Sequence, residues 1–206
     1  MDAHTWDQRY AASELVWSRA PNQFVAAELA DLAPGTAVDL AAGEGRNAIW
    51  LASRGWSTTA VDFSQVALDK GARLAEAGSL QGDVRWVCAD ATTWRPDEPV
   101  DLVVMAYFQV PAADRRRAVR SAATMLRPGG TLLLVAHDST NLTEGTGGPQ
   151  DPAVLMTAED VVADLDGIEV EVLRAERVAR EVSSTDPHGG AGRRTAWDCL
   201  VRVVRV

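Results

Sequence analysis

Three aspartates stand where a carboxylate could bind a small molecule. Asp39 lies near the end of the first predicted β-strand, and Asp62 and Asp90 end the second and third. Because the carboxyl ends of parallel strands meet at one edge of an open α/β sheet, we expect these side chains to line a common crevice. A carboxylate such as Asp62 is well placed there to accept hydrogen bonds from ribose hydroxyls, and Asp90 from an exocyclic amine. The alternative for each aspartate is a local role in capping the next turn or helix.

A turn containing two glycines follows the first strand. The run Asp39-Leu40-Ala41-Ala42-Gly43-Glu44-Gly45 leads from apolar residues into a predicted helix at 45–54. A strand, a tight turn and a helix N-terminus together present free backbone N–H groups to a charged ligand. The same turn, continued to Ala48, also fits the G-x-G-x-x-(G/A) pattern of nicotinamide-binding proteins. The turn by itself therefore does not identify which nucleotide cofactor binds.

From residue 36 onward, strand and helix patterns alternate. The predicted strands are 36–42, 57–62, 84–90, 100–108, 131–137, 168–182 and 195–206. The predicted helices are 22–32, 45–54, 65–77, 112–127 and 158–166, and residues 138–153 are predicted to form a loop. This pattern is typical of a doubly wound, Rossmann-like α/β fold with a seven-stranded, mostly parallel sheet. The last two strands are predicted to form an antiparallel hairpin, and 1–206 to be one domain with a helical cap at 1–35.

The charge and composition of the chain disfavour several classes of function. A net charge of −9 disfavours a nucleic-acid partner, and no apolar run approaches the length needed to span a membrane. Cys88 and Cys199 each lie in an apolar run, which predicts free thiols and a cytoplasmic location. No cluster has metal-ligand spacing, so we expect no metal.

The motifs together resemble the class I S-adenosylmethionine-dependent methyltransferases over about residues 30–206. The matching segments are Asp39 to Gly45, Val61-Asp62, Cys88-Ala89-Asp90-Ala91 and Leu126-Arg127-Pro128-Gly129-Gly130. The runs Gly43 to Ala48 and Trp6-Asp7-Gln8-Arg9-Tyr10 are similar to a small bacterial branch akin to tellurite-resistance and thiopurine methyltransferases. Ala41 departs from the pattern, because it replaces the first motif glycine and would restrict the turn if that position needed a positive φ.

The resemblance implies S-adenosylmethionine as the cofactor and S-adenosylhomocysteine as its product. It assigns the methionine portion to Asp39 and the backbone of Ala41 to Gly45, including Gly43, and the ribose to Asp62. It assigns the adenine to Phe63, Asp90 and Ala91, and the neighbourhood of the sulfonium to Ala106 and Tyr107. The alternatives are an NAD(P)-dependent oxidoreductase and a non-catalytic S-adenosylmethionine-binding protein.

His137 ends the fifth predicted strand on the acceptor side of the crevice. Imidazole side chains titrate near neutral pH, so His137 is a candidate general base that Asp138 could orient. The alternative is a histidine that only hydrogen-bonds the following loop.

The acceptor is predicted to be a small molecule, with candidate contacts from Trp17, Phe108 and His188. Methylation of a phenolic or sugar hydroxyl is favoured, while nitrogen and sulfur acceptors stay open. Met105 to Gln109 lacks the Asn/Asp-Pro-Pro-aromatic run typical of nucleic-acid methyltransferases. The sequence does not indicate an oligomeric state.

Overall fold

The structure is a computed structural model of the 206-residue chain. It describes residues 3–13, 15–16, 18–184 and 192–206. Two predicted acceptor contacts, Trp17 and His188, lie outside the described residues. No helix among the described residues is long and apolar enough to cross a membrane.

A seven-stranded sheet with the strand order β3-β2-β1-β4-β5-β7-β6 forms the centre of the molecule. The strands are β1 Thr36–Leu40, β2 Ser57–Asp62, β3 Asp83–Cys88, β4 Val100–Ala106, β5 Leu126–His137, β6 Val170–Ser184 and β7 Gly192–Arg205. The first five strands are parallel, and β7 pairs antiparallel with both β5 and β6. The predicted fold class, including the C-terminal antiparallel hairpin, is confirmed.

Helices cover both faces of the sheet. They are α1 Ala3–Ala11, α2 Gln23–Leu29, α3 Arg46–Ser53, α4 Gln65–Glu76, α5 Ala112–Met125, α6 Asn141–Glu144 and α7 Ala158–Asp164. The apolar side chains of β1, β4 and β5 alternate between two buried clusters, one against α5 and α7 and the other against α2 and α3. A central parallel strand buried on both faces is expected to be apolar along its whole length, as β4 nearly is.

Local capping explains where several helices begin. The Asn22 side chain accepts hydrogen bonds from the N–H groups of Phe24 and Val25, and that of Ser64 from Ala67. Thr157 and Asp160 form a reciprocal capping box at α7. Each side chain satisfies backbone donors that a helix N-terminus otherwise leaves without partners.

The connection after β5 is more ordered than a simple loop. Within residues 138–153, predicted to lack regular structure, the chain forms the short helix α6 and begins a 3₁₀ turn at Pro152–Val154. The Asn141 side chain accepts a hydrogen bond from Trp197 N and donates one to the Gly147 carbonyl. These contacts attach the connection to β7 at the carboxyl edge of the sheet.

Candidate cofactor and acceptor site

The turn after β1 has an unusual backbone. Ala41, Gly43 and Gly45 have φ angles of 57°, 56° and 71°, so every second residue is left-handed. Ala41 therefore occupies a conformation that the first motif glycine would adopt freely. For an L-residue this conformation costs roughly 1–2 kcal/mol. Such strain is stored where the surrounding structure fixes the backbone, which is common at ligand-binding turns.

Gly45 has a second reason to lack a side chain. A Cβ atom at this position would lie 2.4 Å from the Trp86 ring, well inside van der Waals contact. Trp86 belongs to β3, so its ring packs the turn against that strand.

Asp62 connects this turn to the end of β2. Its Oδ2 accepts a hydrogen bond from Gly43 N at 2.8 Å, and its Oδ1 accepts one from Ser64 N at 2.9 Å. The side chain is buried, and burial raises the pKa of Asp62 above its usual value, although the hydrogen bonds from Ser64 and Gly43 oppose this shift. Each carboxylate oxygen keeps a further lone pair for a ligand hydroxyl.

Asp39 is almost completely buried behind the same turn. Its Oδ2 accepts a hydrogen bond from Ala48 N at 3.1 Å, in the first turn of α3. The capping contact that the sequence left open as an alternative is therefore present, and it uses one of the two carboxylate oxygens. Burial raises the pKa of Asp39 to about 7, against the lowering effects of this hydrogen bond and of Arg46.

The residues predicted to contact adenine lie beyond β2 and β3. Asp90 is exposed, and its Oδ1 accepts hydrogen bonds from the backbone and the hydroxyl of Thr92 at 2.8 and 2.7 Å. Ala91 is buried, and Phe63 is partly buried beside Cys88, whose thiol lies 3.5 Å from the Phe63 carbonyl oxygen. The structure thus brings these three positions to one end of the carboxyl edge.

The N-terminal segment packs over the turn. Val16 N lies 3.1 Å from both carboxylate oxygens of Glu44, a buried residue of the turn. The ammonium group of Lys70 lies 3.6 Å from the same carboxylate, and Asn22 N donates to the Asn47 side chain at 2.9 Å. These contacts hold the predicted helical cap against the turn and the start of α3.

A second group of polar side chains lies at the carboxyl ends of β4 and β5. The Tyr107 hydroxyl donates a hydrogen bond to Asp198 Oδ2 at 2.8 Å, and Arg180 Nε donates to the same oxygen at 2.7 Å. His137 Nδ1 lies 3.2 Å from Asp198 Oδ1, and the His137 and Tyr107 rings are 4.7 Å apart. We call these four residues the Asp198 cluster.

Electrostatics keep Asp198 ionised although it is fully buried. Burial by itself would raise the pKa of Asp198, but its contacts with His137, Arg180 and Tyr107 hold this pKa below the usual value. Burial and the adjacent carboxylate raise the pKa of Tyr107, so the phenol stays protonated and serves as a donor. Tyr107 also has a left-handed backbone with φ of 59°. A charged, hydrogen-bonded and strained constellation of this kind is typical of functional sites.

The remaining predicted residues take other positions. Asp138 does not face His137, because its Oδ1 accepts hydrogen bonds from the backbone and the hydroxyl of Thr140 at 2.9 and 2.7 Å. Asp198 instead lies beside the imidazole. Ala106 and Phe108 are partly buried on either side of Tyr107. Among the described residues, no group of three His, Cys, Asp or Glu side chains could hold a metal ion.

Sequence reasoning missed Asp198 and Arg180. The available signal was a single acid inside the apolar run Ala196-Trp197-Asp198-Cys199-Leu200, since a charge seldom occupies such a place without a buried partner. Arg180 carried no local signal, because arginine is common on exposed strand positions.

Comparison with known proteins finds methyltransferases among the relatives of this chain. A protein family described as a methyltransferase domain matches residues 37–130. The tRNA 5-carboxymethoxyuridine methyltransferase of Escherichia coli K12 is 29% identical over 107 residues, covering 51% of this chain and 41% of the relative. The trans-aconitate 2-methyltransferase of Streptomyces coelicolor is 31% identical over 137 residues, covering 64% of this chain and 45% of the relative. This chain therefore matches less than half the length of these curated relatives.

The fold is shared with solved methyltransferase structures. The N-methyltransferase NodS from Bradyrhizobium japonicum WM9, in complex with S-adenosylhomocysteine, superposes with a TM-score of 0.72 at 18% identity. The superposition covers 100% of this chain and 99% of NodS. Residues 37–130 match a methyltransferase domain, and the chain has the fold of class I S-adenosylmethionine-dependent methyltransferases, as its motifs predicted. This class is favoured over the nicotinamide-dependent oxidoreductase that the glycine pattern also fits.

The residues of the site fit S-adenosylmethionine, the cofactor of this class. The turn is built of small residues, with a left-handed backbone at Ala41, Gly43 and Gly45, and such a turn allows a ligand to approach the main chain closely. Burial raises the pKa of the Asp39 and Asp62 carboxyls and so favours their neutral forms. A ligand that carries an ammonium and a sulfonium group would stabilise their charged forms.

Proposed function

We propose that this protein transfers a methyl group from S-adenosylmethionine to an oxygen atom of a small-molecule acceptor. The observation that supports this proposal most directly is the Asp198 cluster, which places His137 against a buried carboxylate beside the predicted position of the sulfonium. The cofactor turn and the cluster lie at the same edge of the sheet, after β1 and after β4 and β5 respectively.

The chain binds and orients the reactants. In this proposal Asp62 accepts hydrogen bonds from the ribose, Asp90 and Ala91 contact the adenine, and Asp39 with the backbone of the turn holds the methionine portion. When bound, the cofactor supplies an electrophilic methyl group on a sulfonium. Because this carbon is already activated, the main tasks of the protein are to align donor and acceptor and to exclude water.

His137 would accept the proton of an acceptor hydroxyl. Asp198 Oδ1 lies 3.2 Å from Nδ1, although the two atoms are not aligned as a hydrogen bond in this structure. In the proposal, a small rotation of the imidazole lets Nδ1–H donate a hydrogen bond to Asp198, which leaves Nε2 as the basic nitrogen. The carboxylate would also stabilise the imidazolium that forms, as an orienting acid does in other histidine–acid pairs. Tyr107 is unsuited to be the base, because its raised pKa keeps the phenol protonated.

A small-molecule acceptor is supported by the charge of the chain. With a net charge of −9 the protein repels a phosphate backbone, although some relatives are named as tRNA and ribosomal RNA methyltransferases. Other relatives are named for thiocyanate, demethylmenaquinone and trans-aconitate, so similarity by itself does not select the acceptor.

The test is a screen of small hydroxyl, amine and thiol acceptors with labelled S-adenosylmethionine, followed by kinetics of His137→Gln. If His137 is the base, this substitution should lower kcat roughly 10²-fold. The affinity for S-adenosylhomocysteine, measured by calorimetry, should stay unchanged because His137 lies outside the cofactor turn. A variant with an unaltered kcat would contradict the base role. Cofactor binding without methyl transfer to any acceptor would favour the non-catalytic alternative.

A further inference from the structure

Arg180 lies at the opening of the Asp198 cluster. It belongs to β6 and reaches Asp198 diagonally, since Val178 is the residue paired directly with Asp198 and Arg180 pairs with Ala196. The Arg180 side chain is 23% exposed whereas that of Asp198 is fully buried. Its guanidinium carbon lies 5.6 Å from the centre of the Tyr107 ring. The guanidinium thus stands between solvent and the residues proposed to act on the acceptor.

Asp198 does not use all the donors of this guanidinium. Nε lies 2.7 Å from Oδ2, and Nη2 is 3.5 Å from Oδ1, at the limit of a hydrogen bond. Nη1 makes no hydrogen bond to any residue that the structure describes. Because arginine carries five N–H donors in a planar fork, the second edge of the fork is suited to a planar carboxylate.

The local charge balance points in the same direction. The single negative charge of Asp198 is shared among His137, Tyr107 and Arg180. Burial lowers the pKa of Arg46 and the charge of Arg180 lowers it further, whereas Tyr107 and Asp39 raise it. Asp39 is thus the carboxylate near Arg46, and Arg180 shares Asp198 with His137 and Tyr107. A negatively charged ligand would add a second counter-charge beside Arg180.

We infer that Arg180 binds a carboxylate of the acceptor, so that the acceptor is a small hydroxy acid. This inference rests on the proposed function and names its substrate class. The bond between the methyl carbon and the cofactor sulfur breaks with its electron pair on sulfur, and the hydroxyl oxygen forms the new bond to that carbon. His137 Nε2 takes the hydroxyl proton, while the carboxylate is held and stays chemically unchanged.

The experiment compares hydroxy acids with their neutral amides. The full chain, saturated with S-adenosylhomocysteine, is titrated by calorimetry with a panel of aliphatic and aromatic hydroxy acids and the matched amides, such as 4-hydroxybenzoate and 4-hydroxybenzamide. We expect at least one acid to bind roughly 10-fold or more tightly than its amide, the usual effect of a charge-assisted hydrogen-bond pair. Arg180→Gln should remove this preference.

Arg177→Gln is the matched control. Arg177 belongs to the same strand, but its guanidinium lies 4.2 Å from the Trp197 ring and 2.7 Å from a Glu144 carboxylate oxygen. The Arg177→Gln variant should still bind the acid more tightly than the amide. If Arg180→Gln folds poorly because it leaves Asp198 buried without its cation, the double variant Arg180→Gln/Asp198→Asn removes both charges and should lose the preference as well.

The outcomes separate this inference from the proposed function. Equal binding of acids and amides, no binding of either, or a preference that survives in both Arg180 variants would overturn the carboxylate site. Methyl transfer to neutral acceptors at the same rate as to acids would leave the proposed function standing and also overturn the site. An Arg180-dependent preference for acids without any methyl transfer would support the site and contradict the proposed function.

Discussion

Asp39 offers a test of how the buried carboxyls of the cofactor turn behave. The substitution Asp39→Asn keeps the size of the side chain, and the amide oxygen can still accept the hydrogen bond from Ala48 N. What changes is the ability to ionise. The comparison of wild type and variant therefore isolates the free energy of holding a charge at this place.

The magnitude follows from the pKa of Asp39. This pKa is about 7 in the folded protein and 3.8 for an ordinary aspartate, because burial favours the neutral form. Between these two pH values the folded state binds more protons than the unfolded state. The contribution of Asp39 to the free energy of unfolding is therefore fully present below about pH 4 and is lost as the pH rises through 7. A shift of this size is worth at most about 4 kcal/mol at 1.36 kcal/mol per pH unit.

Urea denaturation followed by tryptophan fluorescence, from pH 4 to pH 8, measures this difference. The free energy of unfolding of Asp39→Asn should rise relative to wild type as the pH increases, by up to about 4 kcal/mol, and level off above pH 7. Asp62 is present in both proteins, and its charge is one of the causes that raise the pKa of Asp39, so the difference includes this coupling. Substitution of the exposed Asp97 by Asn controls for removal of a negative charge as such.

A difference that is independent of pH would refute the reasoning, because it would mean that Asp39 titrates alike in the folded and unfolded chains. A difference of opposite sign would show that the turn stabilises Asp39 as an anion. The proposed cofactor role adds a second readout. If the charged form of Asp39 holds the cofactor ammonium, the affinity of wild type for S-adenosylhomocysteine should rise with pH up to about 7, and that of Asp39→Asn should not.

Three further substitutions test the turn and its cover. Ala41→Gly should relieve the left-handed strain and raise stability by about 1 kcal/mol, or roughly 2–4 °C in melting temperature by calorimetry; an unchanged melting temperature would contradict the strain. Gly45→Ala combines a positive φ with an overlap between the new Cβ and Trp86. It should unfold at a lower urea concentration than Gly129→Ala, where φ is 80° but the new Cβ would meet no atom within 4 Å. It should also bind S-adenosylhomocysteine more weakly, and equal effects of the two variants would argue against a tight contact with Trp86. Glu44→Ala should remove hydrogen-exchange protection from the Val16 amide while leaving that of Val61 unchanged; retained protection at Val16 would show that Glu44 does not hold the cap.

The sequence predicted those parts of the fold that depend on local signals. The bounds of β2 agree with the expected 57–62, and α4 and α7 begin at the expected residues 65 and 158, each after a capping side chain. Such features depend on a few neighbouring residues, through apolar patterning and capping hydrogen bonds. The structure of the polar connection after β5 was harder to predict, because its short helix is held by contacts with Trp197, more than 50 residues later in the chain.

The partner of His137 shows why the acceptor side of the site could not be predicted from neighbouring residues in the sequence. Asp138 was the natural candidate because it is adjacent in sequence, yet consecutive side chains along an extended chain point to opposite sides. A carboxylate beside His137 must therefore come from a neighbouring strand. Asp198 meets this condition because β7 pairs with β5 in a register that sets His137 directly against it. Because β7 lies between β5 and β6, far from β5 in sequence, only the assembled sheet identifies the buried acid of the run Ala196 to Leu200 as the partner of the histidine.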